Sequence, residues 1–447
     1  LAEKNYSVIK EYHMNPALET EQERSKRLKK VATATIVGSM LEWYDFYLYA
    51  TMASIVFSKV FFDKSNPSNA AMAAFATFAI GFIARPVGGM FFGYFGDKFG
   101  RKKMLFVTFL LMGICTTAIG LIPTYDSIGL WAPALLVFFR IIQGLGAGAE
   151  LAGAAVTSYE HASDAKRGSQ GAWPALGLNL GLLLSSLTIF VLTLNGEEFL
   201  VNGGWRIPFI LSFILVLIGL WVRKSLPETP DYQEAHVEKV KTNPFKDILR
   251  TNMKGLMVVF VLAIGYNALS YIFKTFSLAY LTQFQGVSAH VTSLSVTIAS
   301  LVAIFSVPFF GWLCDRWSSK KVLILGGCLS VIFAYPFMLL LETANNTAIY
   351  LAIAIGTGIL APMMFAPQGS FLSRQFAVEN RSTGVGTGRE IGTAIAGGLA
   401  PLGALGLVAS SPTHSTTGVI VILLIAAILV VVAACCDQGY RFSKHKN

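Results

Sequence analysis

Gly93-Tyr94-Phe95-Gly96-Asp97-Lys98-Phe99-Gly100-Arg101-Lys102-Lys103 closes one long apolar run and opens the next. Lysine and arginine crowded into a short turn between apolar runs mark the side of a membrane that retains basic loops. Asp97 is the exception, a lone acid in that basic turn. A related turn stands in the second half, where Gly311-x-x-x-Asp315-Arg316 is followed by Lys320-Lys321. The glycine-to-acid spacing is the same, and each copy follows the second apolar run of its half. Repeats related by an axis along the membrane normal suit a transporter that rocks one half against the other.

Working outward from these turns, apolar stretches long enough to span recur near 32–60, 70–96, 104–122, 130–160, 168–194 and 205–223. They return near 253–284, 289–314, 322–341, 347–373, 383–410 and 418–437. The pattern predicts an all-α membrane protein with twelve transmembrane helices in two six-helix pseudo-repeats. Residues 1–30 form an N-terminal tail, 31–223 and 253–437 the two bundles, 224–252 a charged central loop and 438–447 a C-terminal tail. Residues 1–13 lack the apolar core of a signal peptide, and Met14 has the look of a natural start, so they are expected to be a tag remnant.

Composition agrees with this reading. The chain has 54% hydrophobic and 13% charged residues, against about 25% charged in ordinary soluble domains. Its mean hydropathy is +0.59. The net charge of +10 is not a nucleic-acid footprint, because the cations gather on one side of the spans. Lys98, Arg101–Lys103, Lys166, Arg167, Arg316, Lys320, Lys321, Arg374 and Arg381 share the side of the N-terminus, with the tails and central loop. The other side holds Lys59, Lys64 and Arg206. This asymmetry predicts both termini in the cytoplasm. Cys115, Cys314, Cys328, Cys435 and Cys436 fit no metal or disulfide pattern and read as packing residues.

Eight ionisable residues fall inside the apolar stretches: Glu42, Asp45, Arg85, Arg140, Glu150, Lys274, Arg389 and Glu390. A charge at the bilayer centre costs roughly 2.5–3.5 kcal/mol on insertion scales, so such residues face a polar cavity or pair with one another. Glu42 and Asp45 lie three apart, with Phe46 and Tyr49 on the same helix face. Two close carboxylates in a low dielectric resist joint ionisation, which suits a proton carrier. The plainer reading is that one of them pairs with Arg85 or Arg140 to hold helices together. Arg140, Gln143 and Ala147 share a face, with Glu150 toward its edge. Arg140 can fork onto an anion or switch a neighbouring acid; its plainer role is a structural pair with Glu42 or Asp45. Asn267, Ser270 and Lys274 form a polar stripe with Tyr266 beside it, and Lys274 either binds an anion or snorkels. Arg389 and Glu390 are adjacent and are expected to point in different directions. Tyr44, Tyr49 and Tyr266 are expected to form an aromatic cavity wall. Gly144-x-Gly146-x-Gly148 has no preceding strand and reads as close helix packing, not as a nucleotide loop.

The Gly93–Lys103 turn resembles the loop signature of the major facilitator superfamily, and Arg140–Gly148 resembles its fourth-helix motif. Glu42–Tyr49, Ala84–Gly89 and Gly203–Phe209 resemble segments of the metabolite:proton symporter family, which includes permeases for α-ketoglutarate, citrate, shikimate and proline/betaine. The likeness runs from about Lys29 to Ala434. It implies the major facilitator fold and a gating latch formed by Asp97 and Arg101 with the eleventh helix. Asp315 should make a weaker latch, since Ser318-Ser319 replaces the Gly-Arg pair. Where family members have Gly-Gly-Glu-Trp-Gly-Gly, this chain has Gly148-Ala149-Glu150-Leu151-Ala152-Gly153, so the substrate does not carry over simply.

The expected function is proton-coupled import of a small organic anion by alternating access, in a bacterial inner membrane and by a single chain. Arg140, Arg85, Tyr49, Gln143, Tyr266, Asn267, Lys274, Gln368, Arg389 and Glu390 are candidates for the substrate site. Gln368 takes the place in the second half that Glu150 has in the first. Asp45, Glu42 and Glu150 are candidates for the proton. Partners are the anion, protons and the bilayer, with no cofactor or metal expected. Proton-driven export of a drug or toxic anion is an alternative, on the loose exporter likeness of Gly171–Gly177. Symport of a zwitterionic osmolyte is another. A non-transporting nutrient sensor would need a signalling domain, and no nucleophile–base or metal spacing suggests an enzyme.

Overall fold

The computed structural model describes residues 21–65, 67–193, 197–224 and 244–439. The expected tag remnant at 1–13, most of the central loop and most of the C-terminal tail lie outside the described residues. The first half contains α1 (Glu21–Met52), α2 (Pro67–Phe99), α3 (Arg101–Leu121), α4 (Trp131–His161), α5 (Trp173–Thr193) and α6 (Arg206–Lys224). The second contains α7 (Met253–Tyr271), α8 (Ala289–Arg316), α9 (Ser319–Glu342), α10 (Asn346–Ile355), α11 (Arg381–Ser410) and α12 (Thr417–Cys435). Single π-helical turns extend α1 (Ala53–Phe57), α7 (Ile272–Phe276) and α10 (Gly356–Leu360). There is no strand among the described residues.

Eleven of these helical segments are long and apolar enough to cross a membrane. The twelfth, α1, misses that mark because its first turns are charged and Glu42 and Asp45 interrupt the rest. It is nonetheless buried from Val31 onward on the faces that meet α4, α5 and α6. Large apolar side chains such as Trp221, Phe305 and Ile332 are more than two-thirds exposed (77%, 77% and 70%). An apolar surface of that kind belongs against lipid.

The two basic turns share a backbone geometry. Gly100 separates α2 from α3 at φ 107, and Ser318 separates α8 from α9 at φ 132. Glycine reaches that region freely; serine is strained there. The Ser318 hydroxyl accepts from Lys321 N at 3.4 Å, a weak cap that partly offsets the strain.

Part of the segment expected as loop is helical: Pro244–Thr251 forms two turns. Ile248 is buried, and Asn380 Nδ2 donates to Asp247 at 2.9 Å, so an apolar anchor and a side-chain bond hold it against the start of α11.

Candidate functional site

α2 carries Arg85 into the centre of the molecule, where it meets acids from two other helices. Its Nε donates to Glu390 Oε2 at 2.9 Å and its Nη2 to Glu42 Oε1 at 3.0 Å. Arg389 completes the cluster by bonding Glu390. All four are buried. Adjacent Arg389 and Glu390 therefore converge instead of pointing apart. The arginine stem is long enough to fold back onto its neighbour's carboxylate, which sequence spacing alone does not reveal. Helix packing brings this cluster together: Gly148 of α4 lies so close to Arg85 that a methyl there would overlap its carbonyl oxygen.

A second group lies within the first half. Arg140 Nη1 donates to Gln143 Oε1 at 2.7 Å, Gln143 Nε2 to Thr116 Oγ1 at 2.8 Å, and Thr116 Oγ1 to Asp45 Oδ2 at 2.8 Å. Ser212 donates to Asp45 Oδ1 at 3.0 Å. Arg140 is not the direct partner of Glu42 or Asp45 that its plainer reading required. Gln143 and Thr116 stand between it and Asp45, while Glu42 is taken by Arg85. The guanidinium instead stacks on Tyr49, with Cζ 4.0 Å from the ring centroid. Gly81 makes the room, because a methyl there would overlap Arg140 Nε. Arg140 Nε and Glu42 Oε2 are buried and have no hydrogen-bond partner among the described residues. A cavity of about 20 Å³ lies beside them, lined by Glu42, Asp45, Arg85, Arg140 and Gln143 among others. That volume suits about one water. Glu150 is buried, with Thr108 donating to it at 3.2 Å.

The stripe expected on α7 divides. Asn267 Nδ2 reaches Thr393 of α11 at 3.0 Å, whereas Lys274 Nζ reaches Tyr47 of α1 at 2.9 Å. Lys274 sits inside the π turn, whose extra residue shifts it out of register with Asn267. The aromatic wall is not assembled in this conformation. Tyr44 and Tyr49 pack in the first half, Tyr49 donating to Thr77 at 2.6 Å, while Tyr266 stacks on Phe365 at 5.0 Å. Gln368 donates to Met364 O on its own helical segment at 3.1 Å. Thr116, Ser212 and Tyr47 were not singled out by sequence. Hydroxyls are ordinary in spanning helices, so nothing marks the few that meet a charge.

On the basic face the two halves are closed together. Asp97, at the end of α2, accepts from Ser382 N (3.2 Å), Thr383 N (2.8 Å) and Thr383 Oγ1 (2.6 Å). It thus caps the first turn of α11, where an anion meets free N–H groups and the helix dipole. Asp315, at the end of α8, does the same for the short helix Arg167–Gly171 before α5, accepting from Gly168 N (2.6 Å) and Ser169 N (3.1 Å). Asp315 makes fewer of these bonds than Asp97. Arg381 adds a buried pair to Glu160 of α4 at 2.7 Å, a contact sequence reading did not single out. The Arg101 side chain lies outside the described residues.

Long apolar helices throughout the described residues, a buried set of charges at their centre and two acids that cap helices across the basic face define a membrane transporter of the major facilitator type. The chain belongs to the major facilitator superfamily, in the group that holds the shikimate and proline/betaine transporters. Residues 31–254 match the family described as sugar (and other) transporters and residues 271–436 the major facilitator superfamily. The shikimate transporter of Escherichia coli (strain K12) is 34% identical over 86% of this chain and 88% of its own length. The glycine betaine/proline/ectoine/pipecolic acid transporter OusA of Dickeya dadantii (strain 3937) is 36% identical over 86% of this chain and 78% of its own. In fold, the chain is similar to the proton:xylose symporter XylE of E. coli bound to 6-bromo-6-deoxy-D-glucose, with a TM-score of 0.72 and 16% identity, over 92% of this chain and 95% of that one.

Proposed function

We propose that this transporter imports a small organic anion together with protons, by alternating access across a bacterial inner membrane. The observation that carries the reading is a pair of cations without acids. Arg140 bonds the neutral Gln143 and Lys274 the neutral Tyr47, and no ion pair to either is found among the described residues. Breaking or omitting one partner of a buried charge pair is strongly destabilising, about 3–5 kcal/mol. An anionic solute supplies the missing charge. Arg140 belongs to one half and Lys274 to the other, on either side of the neighbouring rings of Phe46 and Tyr47. A solute touching both would draw the halves together.

Asp45 is the best-placed proton carrier. Among the described residues its oxygens meet hydroxyls and no cation directly, so protonation breaks no ion pair. Glu42, by contrast, is already held by Arg85. The basic face is assigned to the cytoplasm on the charge asymmetry of the loops. On this reading, with Asp97 and Asp315 holding that face together, the state is one closed toward the cytoplasm.

The test uses purified protein in liposomes with a pH-sensitive dye outside. Shikimate, di- and tricarboxylates, proline and glycine betaine are added one at a time. External alkalinisation with a carboxylate, lost in Arg140→Gln, supports the reading. A response to glycine betaine or proline alone favours zwitterion symport, the second reading, which the relationship to OusA supports. No proton movement with any carboxylate or zwitterion would overturn both.

A further inference from the structure

We propose that Thr116 and Ser212 are positioning residues that let Asp45 take up and release a proton without moving its heavy atoms. The inference rests on the reading of Asp45 as the proton carrier, and goes beyond it by saying how both charge states are accommodated.

Each hydroxyl lies within reach of two acceptors. Thr116 Oγ1 is 2.8 Å from Asp45 Oδ2 and 3.0 Å from Met112 O, one turn back on α3. Ser212 Oγ is 3.0 Å from Asp45 Oδ1 and 3.1 Å from Pro208 O, one turn back on α6. Bonding to the carbonyl one turn back is ordinary for Ser and Thr in a helix. What distinguishes this pair is a carboxylate at the same reach in another direction, from two different helices onto the two oxygens of one acid.

A hydroxyl has one hydrogen and two lone pairs. When Asp45 is ionised, both hydroxyls donate to it and Thr116 accepts from Gln143 Nε2 at 2.8 Å. When a proton adds to Asp45 Oδ2, the Thr116 hydrogen turns to Met112 O. Its oxygen then accepts the new Asp45 O–H while keeping the Gln143 bond. Every donor and acceptor stays satisfied, and the site's charge changes only by the added proton. Ser212 is free to turn to Pro208 O in the same way. The cavity of about 20 Å³ that Asp45 shares with Glu42 and Arg140 offers an approach through about one water.

Arg140 of α4 is the charged group that faces Asp45, behind Gln143; Glu42 and Arg85 share its cavity, and Tyr44 adjoins it on α1. The charged residues of α3 and α6 lie at their ends, and α5 has none.

The experiment needs no transported solute. Purified protein in liposomes is titrated and followed by infrared difference spectroscopy, reading the carbonyl stretch of a protonated carboxylic acid. A band absent from Asp45→Asn is the Asp45 signal. Thr116→Val with Ser212→Ala should shift its midpoint toward alkaline pH by about one unit or more, since the ionised acid loses two donors. Thr116→Ser, which keeps the hydroxyl, should retain the original midpoint and shows that side-chain size is not the cause. An Asp45 band with an unmoved midpoint in the double variant overturns this inference and leaves Asp45 as the carrier. No Asp45-dependent band overturns the reading of Asp45 itself, and this inference with it.

Discussion

Arg85 and Glu390 join the two halves through a hydrogen bond of 2.9 Å, while the same guanidinium holds Glu42 of its own half at 3.0 Å. The cluster with Arg389 has two acids and two bases and is neutral overall when all are charged. Glu42 travels with Arg85 when the halves rock, and Glu390 stays with the other half. Arg85 is thus the point at which a contact within one half competes with a contact between halves.

Removing Arg85 leaves buried Glu42 without its cation, beside Glu390, which keeps Arg389. Arg85→Met should destabilise the protein by about 3–5 kcal/mol, the range for one partner lost from a buried pair. Adding Glu42→Gln removes the stranded charge and should recover at least about 1 kcal/mol. Thermal unfolding in detergent, run as a double-mutant cycle, measures this; strictly additive losses would contradict the shared-guanidinium arrangement.

The two turn acids should differ in effect. Asp97 receives three hydrogen bonds from the start of α11, Asp315 two from the helix before α5. Hydrogen bonds to charged groups contribute about 1.5–3 kcal/mol each. Asp97→Asn is therefore expected to slow uptake roughly tenfold or more, with Asp315→Asn milder, and neither should change substrate affinity much. Initial uptake rates against substrate concentration separate the two quantities. A raised KM with unchanged maximal rate for Asp97→Asn would refute the latch.

The spans and the twofold repeat were legible because each depends on a run of residues. Twenty apolar side chains, or a basic turn with its acid, outweigh any single exception. The pairing of charges was not legible, since it depends on side-chain direction. Arg389 folds back onto Glu390, and the π turn carries Lys274 away from the face of Asn267. Arg140 connects to Asp45 through Gln143 and Thr116 instead of pairing with it directly, and no feature of the sequence distinguishes Thr116 from neighbouring Thr117.

Close backbone contact between halves on the basic face gives a steric test. Gly369, in the short helix Gln368–Ser373 that precedes α11, lies so near Gly171 that a methyl would overlap its carbonyl oxygen. Gly386 of α11 has Gly89 O of α2 at 2.9 Å from where its methyl would be. Gly369→Ala and Gly386→Ala should each push the halves apart there and shift the population away from the closed state. A cysteine placed at Ser382 in a background lacking native thiols would then react faster with a water-soluble maleimide on that side. Unchanged labelling would mean that the helices yield within each half instead.

Lys274 and Tyr47 test whether the unpaired cation serves the solute or the fold. The Nζ–Oη bond of 2.9 Å joins α7 to α1, so a purely structural role would make the two residues equally important. If Lys274 holds the anion, Tyr47 is only a resting partner that the solute displaces. Lys274→Gln should then raise KM for the transported carboxylate by tenfold or more, about 1.4 kcal/mol, because a charge-assisted contact becomes a neutral one. Tyr47→Phe keeps the ring and removes the competing hydroxyl, so it should leave KM the same or lower it. Equal loss in both variants, with lowered melting temperatures, would assign the pair to helix packing. Arg140 would then be the sole cationic anchor, and a monovalent solute would be favoured over one with two carboxylates.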